Sequence, residues 1–518
     1  MQALKGPLTE LAEFEEINKN RMEHPGMLCI SGCVNSQKTH MMYALSDGIA
    51  YKVIVCSSES KARQVYEEYR MLDTDTYLYK DLLFYQADIR SKELVKARME
   101  VLAALIEKKA AVVVTSIDAF MDCLLPREVI RERVISIGAE DTVDLEELIR
   151  KLVWVGYERE AEISGPGQFA VRGGILDVYP LTEELPIRIE LWGDEVDSIR
   201  TFDVDTQRSV ENLSEVFLYP ASEFPTEEDQ RVSFLQYFDP KDTLLYLDEP
   251  VRILEKGEGV EKEFIEAGKR RVEAGYEVSN EEMKLYGVSE VVKEMNRYCG
   301  VGFFTLPMKA KGFEVRGSYD LQTKSVNPYN RSFELLTQDL KRLKRNGYRV
   351  VLLSGSRTRA RRLAEDLRDY NLSSYYSDDM EREVQPGEIM TAYGHITEGY
   401  EYPLLKFTVI AESDIFGNVK KKKKRKIYEG RKIQSFSELK PGDYVVHENH
   451  GLGIYQGIEK IEVDRVAKDY MKIAYDKGGN LYIPATQLDL IQKYASADAK
   501  KPKLNRLGSQ DWVKTKTR

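Results

Sequence analysis

Residues 162–205 have the sequence EISGPGQFAVRGGILDVYPLTEELPIRIELWGDEVDSIRTFDVD, and this stretch decides the fold of the middle of the chain. Apolar and polar residues alternate in short bursts, and Gly-Pro, Gly-Gly, Tyr-Pro and Gly-Asp turns separate the bursts. A period of two is typical of a strand with one buried face, and closely spaced turns are typical of an antiparallel meander. The stretch therefore predicts an antiparallel sheet that packs against the protein on one side.

The same alternation puts an unusual pair of residues on the face away from the core. Within residues 187–192 the two isoleucines and Leu191 share one face of the strand, so Arg188 and Trp192 share the other. Arg172 likewise lies opposite the apolar side chains of its own strand. An exposed Trp beside an exposed Arg is the composition of an interaction hot spot. The alternative is that Trp192 covers a second small core.

Composition limits the class of protein. The 518 residues predict about three to five domains. With 42% hydrophobic and 31% charged residues, and without a run of about 18 apolar residues, no membrane span is expected. The five cysteines are odd in number and scattered, and the first residues lack the apolar segment of a secretory signal. We therefore expect reduced thiols, no metal site and a cytoplasmic location.

The charge of the chain is acidic except in one block. The net charge is −10 and the isoelectric point is near 5.4, which argues against a protein that coats nucleic acid. A block of seven basic residues, KKKKKRK, begins at Lys420 and ends at Lys426. Such a block is typical of a solvated linker. The alternative is a salt-sensitive contact with the phosphates of DNA.

Strands alternate with helices between residues 27 and 125, which is typical of a parallel sheet covered by helices. The predicted strands are 27–31, 52–56, 76–79 and 111–115, and the predicted helices are 38–47, 60–72 and 93–107. The pattern returns with a strand at Thr243, after the meander, and again in residues 321–415. The meander is therefore predicted to be an insertion into the first α/β domain.

The first strand-to-helix turn is where a phosphate-binding site would lie. It runs from Gly32 to Thr39 with the sequence GCVNSQKT, whereas a phosphate loop needs a second glycine directly before the lysine. Gln37 takes that position, and its side chain would obstruct the approach of the backbone to a phosphate. We therefore predict a degenerate nucleotide loop and no cofactor. Because Lys38 and Thr39 remain, ATP binding is the functional alternative.

An acidic pair, Asp248 and Glu249, ends the apolar strand that begins at Thr243. Acids at such a strand end hold Mg²⁺ in working nucleoside triphosphatases. The alternative is a plain boundary between a strand and a turn. Because the phosphate loop is incomplete, we predict no catalytic residues in this chain.

The complete pattern predicts an α/β multidomain protein. Its parts are a degenerate P-loop-type parallel α/β domain with an inserted antiparallel β-rich domain, a further small α/β domain, and a C-terminal small SH3/Tudor-like β-barrel with short β-branched and aromatic strands. The predicted boundaries are 1–125 and 218–320 for the first α/β domain, 126–217 for the insertion, 321–417 for the small α/β domain, 418–434 for the basic linker, 435–496 for the barrel and 497–518 for a tail that leads toward a further domain.

Two pairs of motifs resemble the N-terminal half of the bacterial transcription-repair coupling factors, the Mfd family. The first pair, GPGQFAVRGGILDVYP (165–180) and LPIRIELWGDEVDSIRTFDVDTQR (185–208), is similar to the excision-repair helicase UvrB. The second pair, LKPGDYVVHENHGLGIYQGI (439–458) and NLYIPATQLDLIQKY (480–494), is similar to the polymerase-binding module of the CarD regulators. The motif ESDIFG (412–417) before a basic linker also looks like this family.

This resemblance implies a two-ended adaptor in transcription-coupled repair. The meander would bind UvrA through Arg172, Arg188 and Trp192, and the barrel would bind the β subunit of RNA polymerase near Ile461. ATP, Mg²⁺ and most DNA contacts would belong to the family's translocase motor, which is expected to follow the barrel, so these 518 residues are not expected to be catalytic alone. The alternatives are a UvrB-like nucleotide-dependent helicase subunit and a CarD-like transcription regulator.

Overall fold

The computed structural model describes residues 2–80, 92–108, 110–204, 206–221, 231–273, 285–417, 430–432, 439–447, 451–463, 466–476, 479–484, 491–494 and 504. The first elements are α1 (Gln2–Lys5), α2 (Ala12–Asn20), β1 (Gly26–Ser31), α3 (Asn35–Ala44), β2 (Tyr51–Cys56), α4 (Glu59–Tyr69), β3 (Thr76–Tyr79), α5 (Lys92–Glu107), β4 (Ala111–Ser116), α6 (Ile117–Phe120), β5 (Cys123–Leu124) and α7 (Arg127–Glu132). Next come β6 (Ile135–Gly138), α8 (Leu145–Trp154), β7 (Glu158–Arg159), β8 (Gln168–Arg172), β9 (Ile175–Tyr179), β10 (Ile187–Trp192), β11 (Glu195–Phe202), β12 (Ser209–Leu213) and β13 (Glu215–Leu218).

The second half of the chain continues the α/β pattern before it changes to short strands. Its elements are β14 (Val232–Ser233), β15 (Thr243–Asp248), α9 (Pro250–Glu273), α10 (Val288–Met295), β16 (Cys299–Phe303), β17 (Val315–Asp320), β18 (Lys324–Ser325), α11 (Phe333–Arg345), β19 (Arg349–Ser354), α12 (Arg357–Asp369), β20 (Tyr375–Tyr376), β21 (Ile389–Tyr393), β22 (Tyr400–Tyr402), β23 (Phe407–Ala411) and α13 (Glu412–Phe416). The last strands are β24 (Gly430–Lys432), β25 (Tyr444–His447), β26 (Gly451–Val463), β27 (Val466–Ala474), β28 (Asn480–Pro484) and β29 (Ile491–Tyr494).

A seven-stranded parallel sheet forms the first α/β unit, in the order β17-β1-β16-β15-β2-β4-β3. Every residue of β2, β4 and β15 is buried, as expected for strands that are covered on both faces. The predicted parallel sheet is confirmed. The strands β16 and β17 were not predicted, because the glycines of CGVGF and the polar residues of VRGSYD hide the strand pattern.

The opening stretch forms a six-stranded sheet in the order β12-β11-β10-β9-β8-β7. The pairs from β8 to β12 are antiparallel, so the predicted meander is confirmed. Ile189 pairs with Leu176 on one side and with Ile199 on the other, and all three belong to a core that α8 covers with Leu148 and Leu152. The isoleucine face of β10 is therefore the core face, as the alternation predicted.

The small α/β unit contains a six-stranded sheet in the order β18-β22-β23-β19-β21-β20, with a parallel central part. Helix α11 begins after Ser332, whose hydroxyl accepts a hydrogen bond from the backbone N–H of Leu335, and it buries Leu336, Leu340 and Leu343 along one side. One face of this sheet shares an apolar core with the first α/β unit.

The last strands form a six-stranded antiparallel sheet in the order β24-β29-β25-β26-β27-β28. The register between β26 and β27 shifts between Tyr455 and Gly457, where Gly457 has a φ of 124° that favours glycine. The closure of this sheet into an SH3/Tudor-like barrel stays a prediction. The basic block from Lys420 to Lys426 lies outside the described residues.

No helix within the described ranges is long and apolar enough to cross a membrane. All five cysteines are free thiols, and burial raises the pKa of Cys29 to about 11 and that of Cys33 to about 12.

Candidate functional site

The end of strand β10 presents the most exposed large apolar side chain on the meander. Trp192 is 84% exposed, and it pairs with Glu195 across a tight turn at Gly193. Arg172 ends strand β8, and its side chain is 50% exposed, with its guanidinium 3.7 Å from Glu162. Arg172 and Trp192 lie at the same end of the sheet, because Arg172 pairs with Ile175, which in turn lies opposite Glu190. The exposed fraction of Trp192 confirms the prediction that its side chain faces solvent.

The predicted exposure of Arg188 is wrong. Its side chain is only 15% exposed, and both Nε and Nη2 donate hydrogen bonds to Asp177, at 2.6 and 2.8 Å. Its guanidinium carbon lies 4.3 Å from the centre of the Phe202 ring. The reason is that this face of the sheet carries a second small core, in which Phe202 packs with Ile163 and Ala170. Arg188 covers that core, whereas Trp192 stands outside it.

Sequence reasoning also missed an ion pair that lies between Arg188 and Trp192. Glu190 on β10 accepts hydrogen bonds from Arg200 on β11, and these bonds lower the pKa of Glu190. Hydrogen bonding to Asp177 raises the pKa of Arg188. The outer face of the meander therefore holds paired charges in its middle, with the exposed Trp192 and the half-exposed Arg172 at one end. The roles of Arg172, Arg188 and Trp192 in binding stay predictions.

The predicted nucleotide loop is shorter than expected. Strand β1 ends at Ser31 and helix α3 already begins at Asn35, so Gln37, Lys38 and Thr39 lie within the helix and are buried. The predicted helix start at residue 38 is therefore wrong. Gly32 has a φ of 74°, and a Cβ at that position would lie 1.8 Å from the backbone oxygen of Leu321. The chain itself thus occupies the space in front of the loop.

The ammonium group of Lys38 is not free, because it is bonded to two acidic side chains. Its Nζ donates to Asp248 at 2.9 Å and to Glu249 at 2.6 Å, and the side chains of Lys38 and Asp248 are 6% and 4% exposed. Burial alone would lower the pKa of Lys38, but the charge of Asp248 and hydrogen bonds to both acids outweigh burial and raise the pKa. The Lys38 ammonium is thus bonded to two acids, and the backbone of Leu321 lies against Gly32. The degenerate nucleotide loop stays a prediction.

Gln37 joins the first α/β unit to the second. Its Nε2 donates to the hydroxyl of Tyr402 at 2.9 Å, and that hydroxyl lies 3.0 Å from Nδ1 of His40. The other ring nitrogen of His40 lies 3.0 Å from the backbone oxygen of Leu4, and the ring stacks on Tyr400 at 5.1 Å between ring centres. Gln37, which takes the place of the second glycine of a phosphate loop, therefore makes a buried polar contact between the two units.

The joint between the α/β units is expected to weaken in acid. Burial lowers the pKa of His40 to about 4, whereas a histidine in an unfolded chain has a pKa of about 6.5. The unfolded chain therefore takes up a proton between these values while the folded chain does not, so the free energy of unfolding falls as the pH drops from about 6.5 to about 4. Urea unfolding at a series of pH values measures this slope.

The control compares two variants. His40→Gln is expected to flatten the pH dependence in that window, whereas the exposed His24→Gln is expected to keep the slope of the wild-type chain. An equal slope in all three proteins would contradict the assignment of the titration to His40.

Ile461 lies in the second half of β26 and pairs with Lys468 of β27. Its side chain lies outside the described residues, so its part in polymerase binding stays a prediction. Tyr455, Met471 and Ile473 form the core of this sheet at the other end of the same hairpin.

Two sequence families match separate parts of the chain. Residues 135–224 match the UvrB interaction domain, and residues 439–495 match the CarD-like/TRCF RID domain. The first match contains the meander with Arg172, Arg188 and Trp192, and the second contains β26 with Ile461.

Curated relatives match almost the whole length of the chain. A transcription-repair-coupling factor of Bacillus subtilis (strain 168) is 32% identical over 500 residues, which cover 85% of this chain and 42% of the relative. Proteins with the same name from Staphylococcus haemolyticus and Staphylococcus epidermidis are 28% and 27% identical, and the matches cover 85% and 86% of this chain and 42% and 43% of those relatives. The chain thus spans less than half the length of these relatives. With both domain matches, these relatives show that the chain belongs to the transcription-repair coupling factor family and corresponds to its N-terminal region.

Proposed function

We propose that this chain is a docking adaptor of transcription-coupled DNA repair. Its meander binds UvrA, and its C-terminal sheet binds the β subunit of RNA polymerase. The observation that carries this proposal is the occurrence of both interaction domains in one chain, together with relatives that are named transcription-repair-coupling factors. Copurification of the chain with UvrA and, separately, with the polymerase β subunit tests it. Failure to bind either partner would overturn the corresponding half.

The UvrA-binding surface consists of Trp192, Arg172 and the accessible edge of Arg188. Large aromatic residues and arginines contribute most of the binding energy at protein interfaces. Trp192 at 84% exposure supports this assignment, because the apolar surface of a tryptophan this exposed is available to a pocket of a partner. The half-exposed Arg172 at the same end of the sheet adds a cation that is only loosely paired with Glu162.

The polymerase-binding surface includes the hairpin of β26 and β27. Ile461→Arg is expected to weaken binding to the polymerase β subunit at least tenfold, because it puts a charge into an apolar contact. Surface plasmon resonance with an immobilised β fragment measures the change. Trp192→Ala serves as the control, and it is expected to leave polymerase binding unchanged. Equal polymerase binding by the wild-type chain and a folded Ile461→Arg variant would contradict the assignment.

A UvrB-like helicase activity is the competing function. It would use Lys38, Thr39, Asp248 and Glu249, and the Lys38 ammonium is bonded to both acids in a buried cluster. This arrangement favours the adaptor. ATP hydrolysis by the purified wild-type chain would support the helicase instead.

We also propose that the boundaries at residues 126, 218, 321 and 435 separate units with different tasks. In this division, residues 321–417 hold the first α/β unit in shape through the contacts of Tyr400 and Tyr402 with His40 and Gln37.

A further inference from the structure

Arg188 is held in one orientation by three neighbours. Asp177 on β9 lies directly opposite Arg188 in the register and accepts two parallel hydrogen bonds, which is the geometry that fixes a guanidinium most firmly. Phe202 on β11 lies under the guanidinium, and Gln207 accepts a further hydrogen bond from Nη2 at 2.8 Å. A side chain that normally has several rotamers is thus reduced to one.

One end of this guanidinium is left for a partner. Arginine has five N–H donors, and those of Nε and Nη2 point to Asp177 and Gln207. Within the described residues, Nη1 has no hydrogen-bond partner and is not fully buried. The 15% of the side chain that is exposed therefore includes a donor with a fixed direction.

A fixed donor improves binding because less conformational entropy is lost when the complex forms. Immobilising a long side chain on binding costs conformational entropy, and Arg188 has already lost that freedom on folding. Trp192 is four residues along the same strand, roughly 13 Å away, so one partner surface can contact both residues. The best acceptor for Nη1 is a carboxylate, since a charge-assisted hydrogen bond is stronger than a neutral one.

We propose that Asp177 is a positioning residue for UvrA docking: with Phe202 and Gln207, it aims Nη1 of Arg188 at an acidic group on UvrA, beside the pocket that receives Trp192. This inference rests on the proposed UvrA docking of the meander. Asp177 is 3% exposed, so it acts through Arg188 and makes no contact with the partner itself.

The test uses Asp177→Asn in the full chain, with binding to UvrA measured by isothermal titration calorimetry. Asparagine keeps the size of the side chain but cannot accept both hydrogen bonds as a carboxylate does. We expect affinity for UvrA to fall about tenfold, and we expect Asp177→Asn to have no further effect when Arg188 is already replaced by methionine. A merely structural role for Asp177 would give the same loss in both backgrounds and would overturn the proposal.

Two further outcomes are informative. If the wild-type chain does not bind UvrA, the proposed function fails; if the wild-type chain and Asp177→Asn bind equally well, only the positioning role fails. Should Asp177→Asn not fold, the decision rests on Gln207→Ala, which removes one restraint at an exposed position. A loss of about threefold or more in that variant supports the proposal, and unchanged affinity overturns it.

Discussion

Replacing Trp192 with alanine is expected to weaken the binding of this chain to UvrA by about 2 kcal/mol, roughly thirtyfold in Kd. The indole is 84% exposed in the free chain, so its apolar surface is available to be buried in a complex. For the same reason the substitution removes little packing from the folded chain, and the melting temperature is expected to stay unchanged. Isothermal titration calorimetry and thermal unfolding measure the two effects separately.

The matched control for this prediction is Trp154→Ala. Trp154 ends helix α8 in the same domain and is 63% exposed, with the guanidinium of Arg133 over its ring. It lies outside the surface formed by Arg172, Arg188 and Trp192, so its replacement is expected to change the affinity less than twofold. Similar losses in both variants would show that any exposed tryptophan on this domain matters, and the assignment of the surface would be wrong.

Replacing Lys38 with methionine is expected to lower the free energy of unfolding by about 3–5 kcal/mol. The side chains of Asp248 and Glu249 are 4% and 13% exposed, and both give up water to accept hydrogen bonds from the Lys38 ammonium. Without that ammonium, two largely buried carboxylates would remain side by side, with Thr305 still donating to Glu249. Urea unfolding of the wild-type chain and the variant at neutral pH measures the difference.

Lys61→Met is the control for Lys38→Met. The Lys61 ammonium lies 3.8 Å from the other oxygen of Asp248, but its side chain is 26% exposed, and water replaces it at little cost. We expect a loss below about 1 kcal/mol. If Lys38→Met proved as mild as Lys61→Met, the buried acids would not depend on Lys38. The interpretation of the turn from Gly32 to Thr39 as a structural loop that binds no nucleotide would then lose its main support.

The pattern of the meander was predictable because alternation is a local property. The strand from Ile187 to Trp192 shows its two faces in six residues, and the core face is the predicted one. The residues that cover the other face of this strand are not its neighbours in sequence. Phe202 packs there with Ile163, which lies between β7 and β8, and Asp177 meets Arg188 only because the connection between β9 and β10 sets the register. The pattern within one strand therefore gave the correct face for both Arg188 and Trp192, but it predicted the exposure of Trp192 correctly and that of Arg188 incorrectly.

The nucleotide loop likewise has contacts that its local sequence does not predict. The missing second glycine was visible in the sequence, and it indicated a loop that does not bind phosphate. The use that the chain makes of Gln37 was not visible, because its partner Tyr402 is 365 residues away. The early start of helix α3 also has a local contact, because the side chain of Gln37 accepts a hydrogen bond from the backbone N–H of Val34 at 3.3 Å.

The proposed function requires that the two docking surfaces bind their partners at the same time. Light scattering after size-exclusion chromatography of the chain, UvrA and the polymerase β subunit, mixed without ATP, gives the mass of the complex. We predict one species that contains all three proteins, which Trp192→Ala reduces to a complex with the β subunit and Ile461→Arg reduces to a complex with UvrA. Two separate binary complexes, with no species that contains all three proteins, would contradict the account.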